Sequence, residues 1–293
     1  MDLPSLTIGS TPNAMSAEKA RTPQTGLEQP APGPAARRTV RFSGMTDVGT
    51  EREVNEDALR VVPEYRLGVV ADGLGGHRSG SIASSLAVDT INDFFIVTVR
   101  PDATWPFPYD QTLSEEENYL VTGFRLANRR IFDRSLKTLT DFGMGTTCVA
   151  LMFSEDLTSA AISNVGDSRG YKLRAGVLSQ LTRDHSVVSD AVNAAPWMTA
   201  EEIAQLPPNV ITRALGIRED VMVDIERLDV QPGDIFLLCS DGLSGQVEDT
   251  FITTELARVH SGDELEVICK SLVDAANRAG GVDNVTVVIA HVT

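Results

Sequence analysis

Short apolar runs with acidic residues directly at one end recur along this chain. Four such runs lie at residues 58–62, 67–71, 235–239 and 285–290. The acidic residues beside them are Glu56 and Asp57, Asp72, Asp241, and Asp283. An apolar run of this length, bounded by turn residues, is typical of a buried strand. The pattern therefore predicts core strands that carry carboxylates at their ends.

The remaining pattern predicts an α+β fold. Further strands are predicted at 39–46, 146–153, 159–164, 170–174, 177–181 and 221–228. Turn residues separate most of the strands, which is typical of antiparallel meanders and not of alternating βαβ units. Apolar residues at helical spacing predict one helix opened by Ser79, a second opened by a Ser114/Glu117 capping box, and a last one capped by Ser261 with Glu264. Residues 186–210 read as a long irregular segment with a short helical piece at 199–205.

Composition limits the class of protein. Residues 1–38 hold six of the 14 prolines and few large apolar residues, so they are predicted to form a disordered arm before a single domain at 39–293. The net charge is −16, which disfavours nucleic acid and anionic membranes as partners. The three cysteines lie in apolar or helix-like stretches, and no apolar run approaches the roughly 20 residues of a membrane span. These features predict a cytoplasmic protein.

The carboxylates at strand ends suggest a cation site. Hard divalent cations prefer carboxylate and carbonyl oxygen ligands, and Asp72 is followed by glycines at 73, 75 and 76 that allow a close approach of the backbone. Zinc is disfavoured because the chain lacks any CxxC or Cys/His ligand spacing. A lone aspartate at a strand end is usually a turn or capping residue, so the argument rests on the joint pattern.

Eight motifs in sequence carry a family resemblance. They are Arg52-x-x-Asn55-Glu56-Asp57, Val70-Ala71-Asp72-Gly73-Leu74-Gly75-Gly76-His77, Gly143-Met144-Gly145-Thr146-Thr147, Asn164-Val165-Gly166-Asp167-Ser168-Arg169-Gly170, Leu181-Thr182-Arg183-Asp184-His185-Ser186, Thr212-Arg213-Ala214-Leu215-Gly216, Leu238-Cys239-Ser240-Asp241-Gly242-Leu243 and Gly281-Val282-Asp283-Asn284-Val285-Thr286. With these motifs the chain resembles the PPM-type (type 2C) metal-dependent protein Ser/Thr phosphatases of the bacterial branch. Any one motif is a weak signal, whereas the ordered set is a strong one.

The resemblance implies a β-sandwich of two antiparallel sheets flanked by helices, with two Mn²⁺ or Mg²⁺ ions at one end. Asp72 matches the carboxylate that bridges the metals, and Gly73 matches the residue that offers its backbone carbonyl. Asp241 and Asp283 match the other direct ligands. Glu56 and Asp57 match acidic residues that hold metal-bound waters, and Arg52 matches the arginine that binds the substrate phosphate.

The resemblance leaves several residues with alternative interpretations. Some bacterial members hold a third metal, for which Asp184 and Asp141 are candidate ligands, although the spacing of Asp141 to Gly-Thr-Thr is off by one residue. Asp167 and Asn284 are expected either to support the ligands or only to order their own turns. Residues 186–210 take the place of the family's flap, where Trp197 is expected either to touch substrate or, as the favoured alternative, to pack against the body.

The implied activity is hydrolysis of phosphoserine and phosphothreonine in proteins by attack of a water on the binuclear centre. Phosphorylated proteins and a cognate bacterial Ser/Thr kinase are the expected partners. One departure is Leu74, which stands where many eukaryotic members carry a histidine proposed as general acid. Two alternatives are a catalytically silent binding module of the same fold and a hydrolase of another phosphoester. The first is disfavoured by the complete ligand set, and the second by the low aromatic content of 5%, since a nucleotide pocket would need an aromatic residue that stacks on the base.

Overall fold

The computed structural model describes residues 38–75, 78–98 and 104–293. The predicted disordered arm therefore lies outside the described residues except for Arg38, which belongs to the folded unit that begins there. Its guanidinium Nη1 donates to the carbonyls of Leu157 and Val230. The domain boundary between residues 38 and 39 stays a prediction, because residues 1–37 lie outside the described residues.

The strands in chain order are β1 Val40–Asp47, β2 Asp57–Val62, β3 Leu67–Leu74, β4 Gly145–Thr146, β5 Cys148–Phe153, β6 Ser159–Val165, β7 Arg169–Arg174, β8 Val177–Gln180, β9 Asp224–Asp229, β10 Ile235–Cys239 and β11 Val285–Val292. The α-helices are α1 Arg78–Thr98, α2 Glu115–Lys137, α3 Val187–Ala194, α4 Ala200–Ile203, α5 Asp241–Ser244, α6 Asp249–Ala257 and α7 Leu265–Arg278. Short 3₁₀ turns lie at Pro63–Tyr65, Leu139–Asp141 and Arg258–Ser261.

Two antiparallel sheets form the sandwich. One has the strand order β1-β11-β10-β7-β8, and the other has the order β2-β3-β5-β6-β9 with β4 paired to β3. The predicted fold class is confirmed. The middle strand of each sheet, β5 or β10, is apolar at every position because both of its faces are buried. In β10, for example, Phe236 and Leu238 face the core between the sheets, whereas Leu237 faces the helices.

The helices cover the two outer faces of the sandwich. Helices α1 and α2 pack on the sheet of β3 and β5, where Ile91, Phe124 and Ile131 are fully buried. Helices α6 and α7 pack on the sheet of β10 and β11, where Leu272 is fully buried. Cys148, Cys239 and Cys269 are free and buried in these cores, as small hydrophobic residues are.

Local predictions hold in part. The Ser114/Glu117 capping box is present, with both reciprocal hydrogen bonds. The predicted Ser261 cap is wrong, because Ser261 lies in a 3₁₀ turn and Glu264 is the capping residue of α7 without a side-chain cap bond. The predicted end of a strand at Asp72 is also wrong, since β3 continues to Leu74 through pairing with β4. Segment 186–210, which the sequence predicted to be largely irregular, contains the eight-residue helix α3.

Candidate metal centre

Antiparallel pairing brings the acidic strand ends together at one edge of the sandwich. In one sheet, Asp57 at the start of β2 lies directly opposite Asp72 near the end of β3. In the other sheet, the end of β10 pairs with the start of β11, which places Asp241 and Asp283 at the same edge. The Ser240 hydroxyl donates to Asp57 Oδ2 at 2.8 Å and thereby joins the two sheets.

These carboxylates oppose one another's ionisation. Burial, and then the charges of Asp241 and Asp283, raise the pKa of Asp57 to about 7, although hydrogen bonds from Thr286 and Ser240 work in the opposite direction. Burial and the charge of Asp57 raise the pKa of Asp72 well above its usual range. Burial and Asp283 likewise raise the pKa of Asp241. A cation bound among these carboxylates would reduce their mutual repulsion, so the group favours cation binding.

The backbone at Asp72 and Gly73 is held by hydrogen bonds from the following strands. The Asp72 carbonyl accepts from the Thr147 N–H at 2.8 Å and from the Thr146 hydroxyl at 2.7 Å. The Gly73 N–H donates to the Glu56 carbonyl at 3.1 Å. A Cβ on Gly73 would lie 2.2 Å from the Gly80 carbonyl oxygen, so only glycine allows α1 to approach this close.

Asn284 fixes the loop that carries Glu56. Its Oδ1 accepts from the Glu56 N–H at 2.8 Å, and its Nδ2 donates to the carbonyls of Val48 and Val54. The side chain is 4% exposed, so each of these backbone groups depends on it for its hydrogen bond. This placement supports a role for Asn284 in positioning the acidic loop.

Arg52 lies at the rim of the acidic group. Its Nη2 donates to Asp283 Oδ2 at 2.8 Å, and its Nε contacts the Val282 carbonyl at 3.4 Å. The side chain is 48% exposed, which leaves a permanently charged group facing solvent beside the carboxylates. Such an arginine can bind an incoming anion.

A polar cavity of about 240 Å³ opens beside this group. Asp167, Asp184, Asp241 and Asp283 line it, together with residues 208–209 from the end of the segment after α4. Burial, and then the charge of Asp241, raise the pKa of Asp167 to about 6. Asp167 therefore lies close enough to Asp241 for the two charges to repel, and its role in supporting the ligands stays a prediction.

The two other candidate acids each face an arginine. Arg169 binds Asp184 through Nε and Nη2, with its shortest contact 2.7 Å to Oδ2. Arg134 Nε donates to Asp141 Oδ2 at 2.9 Å, and this contact lowers the pKa of Asp141. Asp184 lines the cavity, whereas Asp141 is absent from its lining. Because Asp57 and Asp72 are also absent from that lining, the role of Asp141 as a metal ligand stays a prediction.

His185 ties the cavity wall to both ends of the segment 186–210. Its Nδ1 accepts from the Gly166 N–H at 3.0 Å, and its Nε2 lies 3.1 Å from Asp224 Oδ2. Burial lowers the pKa of His185, so the ring is neutral, with its proton on Nε2. The His185 carbonyl accepts from the Thr212 N–H at 2.8 Å. These contacts fix His185 next to the start of the segment 186–210.

Trp197 does not pack against the body. Its side chain is 80% exposed, so the favoured interpretation as a packing residue is wrong. A contact of Trp197 with substrate stays a prediction. The physical reason is that α3 and α4 bury none of their residues fully, and the segment is held mainly by hydrogen bonds at its two ends.

The donor chemistry of the site fits hard divalent ions. Asp57 Oδ1 and Asp241 Oδ1 are buried, and neither has a hydrogen-bond partner among the described residues. The cavity lining offers oxygen donors and neither histidine nor cysteine, which favours Mg²⁺ or Mn²⁺ over zinc. Within the described part of the chain, no three Asp, Glu, His or Cys side chains are already arranged so that together they could hold a metal ion. Asp283 is turned to Arg52, and Asp57 Oδ2 is turned to Ser240.

The sequence profile of the protein phosphatase 2C family matches residues 50–274. This chain belongs to that family. The serine/threonine phosphatase Stp of Listeria monocytogenes is 34% identical over 249 residues, which cover 84% of this chain and 93% of the relative. The match to the family confirms the resemblance that the motifs carried.

Solved phosphatase 2C structures share the fold. PppA of Pseudomonas aeruginosa, described as a regulatory component of its type VI secretion system, is 33% identical with a TM-score of 0.71, over 87% of this chain and 98% of that one. The catalytic domain of the phosphatase PstP, solved with two manganese ions, is 32% identical with a TM-score of 0.72, over 87% and 99% of the two chains.

No helix in the described residues is long and apolar enough to span a membrane.

Proposed function

We propose that this phosphatase 2C chain hydrolyses phosphoserine and phosphothreonine in proteins with two Mn²⁺ or Mg²⁺ ions. The observation that carries the proposal is the group of buried carboxylates that repel one another at one edge of the sandwich, with Arg52 at its rim. A catalytically silent module has no need to keep such a group, because its mutual repulsion costs stability unless cations are bound.

Different residues of the chain would bind the metal ions and the substrate phosphate. Asp72, Asp241 and Asp283, with the Gly73 carbonyl, would hold the ions, while Glu56 and Asp57 complete the acidic edge. When bound, two divalent ions activate water and neutralise phosphate charge. Arg52 binds the phosphate oxygens with a guanidinium that keeps its charge at every relevant pH. Leu74 offers no proton, so it takes no part in proton transfer to the leaving group.

The cavity lining favours a phosphoprotein over a nucleotide. It contains no aromatic ring, and a nucleobase would be expected to stack on one. Trp197 stands exposed on the segment beside the cavity, where an extended peptide could contact it. We also propose that a cognate bacterial Ser/Thr kinase acts on the same proteins and that the chain works in the cytoplasm.

Hydrolysis of a phosphothreonine peptide by metal-stripped protein tests this function, with and without Mn²⁺, beside the Asp241→Asn variant. Phosphate release that requires Mn²⁺ and disappears in the variant is expected. Absence of phosphate release from a folded, Mn²⁺-loaded wild-type protein would favour the silent module. A Cys148→Ser variant serves as control, because its thiol is buried in the core and faces no substrate.

A further inference from the structure

His185 is a buried side chain to which the proposed function assigns no role. The side chain is 3% exposed, its Nδ1 accepts from the Gly166 N–H at 3.0 Å, and its Nε2 lies 3.1 Å from Asp224 Oδ2. Because Nδ1 accepts a hydrogen bond, the proton of the neutral ring is on Nε2. The two ring nitrogens thus contact two different parts of the structure, the turn after β6 and the start of β9.

The Nδ1 contact fixes the backbone directly before Asp167, which lines the cavity. The Gly166 N–H is buried, and the His185 ring supplies its hydrogen bond. A Cβ on Gly166 would lie 2.5 Å from Thr147 Cβ, so the turn packs tightly on Thr147. The Thr147 N–H in turn donates to the Asp72 carbonyl at 2.8 Å. The ring therefore helps to set where the Asp167 carboxylate lies relative to the predicted metal ligands.

The Nε2 contact leads to the other side of the cavity. Asp224 Oδ1 accepts from Arg213 Nη1, and Arg213 directly follows Thr212, whose N–H donates to the His185 carbonyl at 2.8 Å. Residues 208–209, a few positions earlier in the chain, line the cavity. The contacts from His185 through Asp224 to Arg213 therefore hold the end of segment 186–210, which forms part of the cavity wall.

Backbone hydrogen bonds hold the same region without help from the His185 side chain. The His185 N–H donates to the Gly166 carbonyl at 2.9 Å, and the Val187 N–H donates to the Val210 carbonyl at 2.9 Å. These bonds, with that from Thr212, close segment 186–210 at its two ends. A substitution at position 185 therefore removes side-chain contacts and leaves the backbone closure of the segment in place.

We propose that His185 is a positioning residue for phosphate hydrolysis, with one ring nitrogen for each side of the cavity. Nδ1 positions Asp167 beside the metal ions, and Nε2, through Asp224 and Arg213, positions the end of segment 186–210 toward the phosphoprotein. The inference rests on the proposed function, because both tasks serve metal-dependent hydrolysis of a phosphoprotein. It predicts that the two tasks can be separated by substitutions that keep one contact each.

Two conservative variants separate the contacts. In His185→Asn, the amide oxygen reaches the position of Nδ1 and can accept from the Gly166 N–H, but the side chain is too short to contact Asp224. In His185→Gln, the amide nitrogen reaches the position of Nε2 and can donate to Asp224, but the Gly166 N–H loses its acceptor. The matched control is His291→Asn, because His291 is also buried, at 7% exposed, and lies at the end of β11 away from Asp283.

Mn²⁺ titration, together with kcat and KM for a phosphothreonine peptide and for p-nitrophenyl phosphate, measures the two tasks. His185→Gln is expected to weaken Mn²⁺ binding about tenfold, as loss of a group that supports metal ligands does, with KM for the peptide unchanged at saturating Mn²⁺. His185→Asn is expected to keep the Mn²⁺ affinity and to raise KM for the peptide about tenfold, because the cavity wall is no longer preorganised. KM for p-nitrophenyl phosphate should stay unchanged in this variant, since the small ester has no chain that extends along the wall. His291→Asn should change none of these values.

The outcomes separate this inference from the proposed function. Equal profiles for His185→Asn and His185→Gln, or wild-type values in both, would overturn it and leave His185 with a role in stability alone. A folded wild type that releases no phosphate with Mn²⁺ would contradict the proposed function, and the Mn²⁺ titration would still decide the Nδ1 contact. If either variant fails to fold, Asp224→Ala decides the Nε2 contact. It should raise KM for the peptide with Mn²⁺ affinity kept, and an unchanged KM would overturn the inference.

Discussion

The acidic residues of this phosphatase fall into two groups that differ in their partners. At the sandwich edge, Asp57, Asp72 and Asp241 face mainly one another, and their pKa values rise. Beside them, Asp141 and Asp184 each face an arginine. Negative charge alone therefore does not mark a metal ligand. An arginine partner alone does not exclude one either, because Asp283, a predicted ligand, is paired with Arg52.

The largest expected effect comes from removing one member of the first group. Asp241→Asn should lower turnover by more than about 100-fold, since even the supporting residues of metal ligands cost about 10–100-fold. The metal-free variant should also unfold at a higher temperature than metal-free wild type, because one buried repelling charge is gone. Phosphopeptide hydrolysis and thermal unfolding in EDTA measure the two effects. Near-normal turnover would remove Asp241 from the ligand set.

The second prediction concerns pH. The pKa of Asp57 is about 7 and that of Asp167 about 6 in the absence of metal. Protons therefore compete with Mn²⁺ below these values. Mn²⁺ affinity should fall about tenfold per pH unit for each proton released as pH decreases from 8 to 6. Calorimetric titration in buffers of different ionisation enthalpy counts the protons, and a pH-independent affinity would contradict the mutual repulsion.

The same shifts set the sign of the pH dependence of stability without metal. A carboxyl group whose folded-state pKa is raised above the unfolded value of 3.8 favours the folded state at low pH. That contribution is lost as pH rises from about 4 to about 7. These groups should therefore make the metal-free protein less stable at pH 8 than at pH 5, and Mn²⁺ should reverse the loss. Thermal unfolding with EDTA or Mn²⁺ at both pH values measures this.

Arg52→Ala should weaken the binding of a phosphopeptide and slightly strengthen the binding of Mn²⁺. Loss of a charge-assisted contact to phosphate, worth about 1.5–3 kcal/mol, should raise KM for a phosphopeptide about tenfold or more. Mn²⁺ affinity should rise slightly, because Asp283 loses the cation that now shares its Oδ2. Arg52→Lys is the matched control, which keeps the charge without the fork. An unchanged KM would exclude Arg52 from phosphate binding.

The smallest effect is expected in the second group. Asp141→Asn should leave Mn²⁺ affinity and turnover essentially unchanged, because Asp141 is paired with Arg134 away from the cavity. The thermal midpoint should fall near neutral pH, since the lowered pKa of Asp141 means that its carboxylate stabilises the folded state above its unfolded pKa. A large loss of Mn²⁺ affinity would place Asp141 in the metal site and remove the distinction between the groups.

Local sequence predicted the fold well where one segment controls the outcome. The Ser114/Glu117 capping box depends on residues three apart, and it is present. The prediction at Ser261 failed because the same spacing occurs in a segment that forms a 3₁₀ turn and begins α7 one turn later. The end of β3 was misplaced because its last residues pair with β4, a two-residue strand that is separate from β5.

The pattern of apolar runs predicts strands with carboxylates at their ends, and the family resemblance implies that these carboxylates lie at one end of an antiparallel sandwich. Apolar runs fixed the strands, and antiparallel neighbours bring the end of one strand beside the start of the next. Which of these acids is paired with an arginine became visible only in the folded chain. Asp57 meets Ser240, 183 residues away, and Asp184 meets Arg169 across a strand pair. Such contacts depend on how distant segments pack, because the spacing of residues along a chain sets only the local geometry.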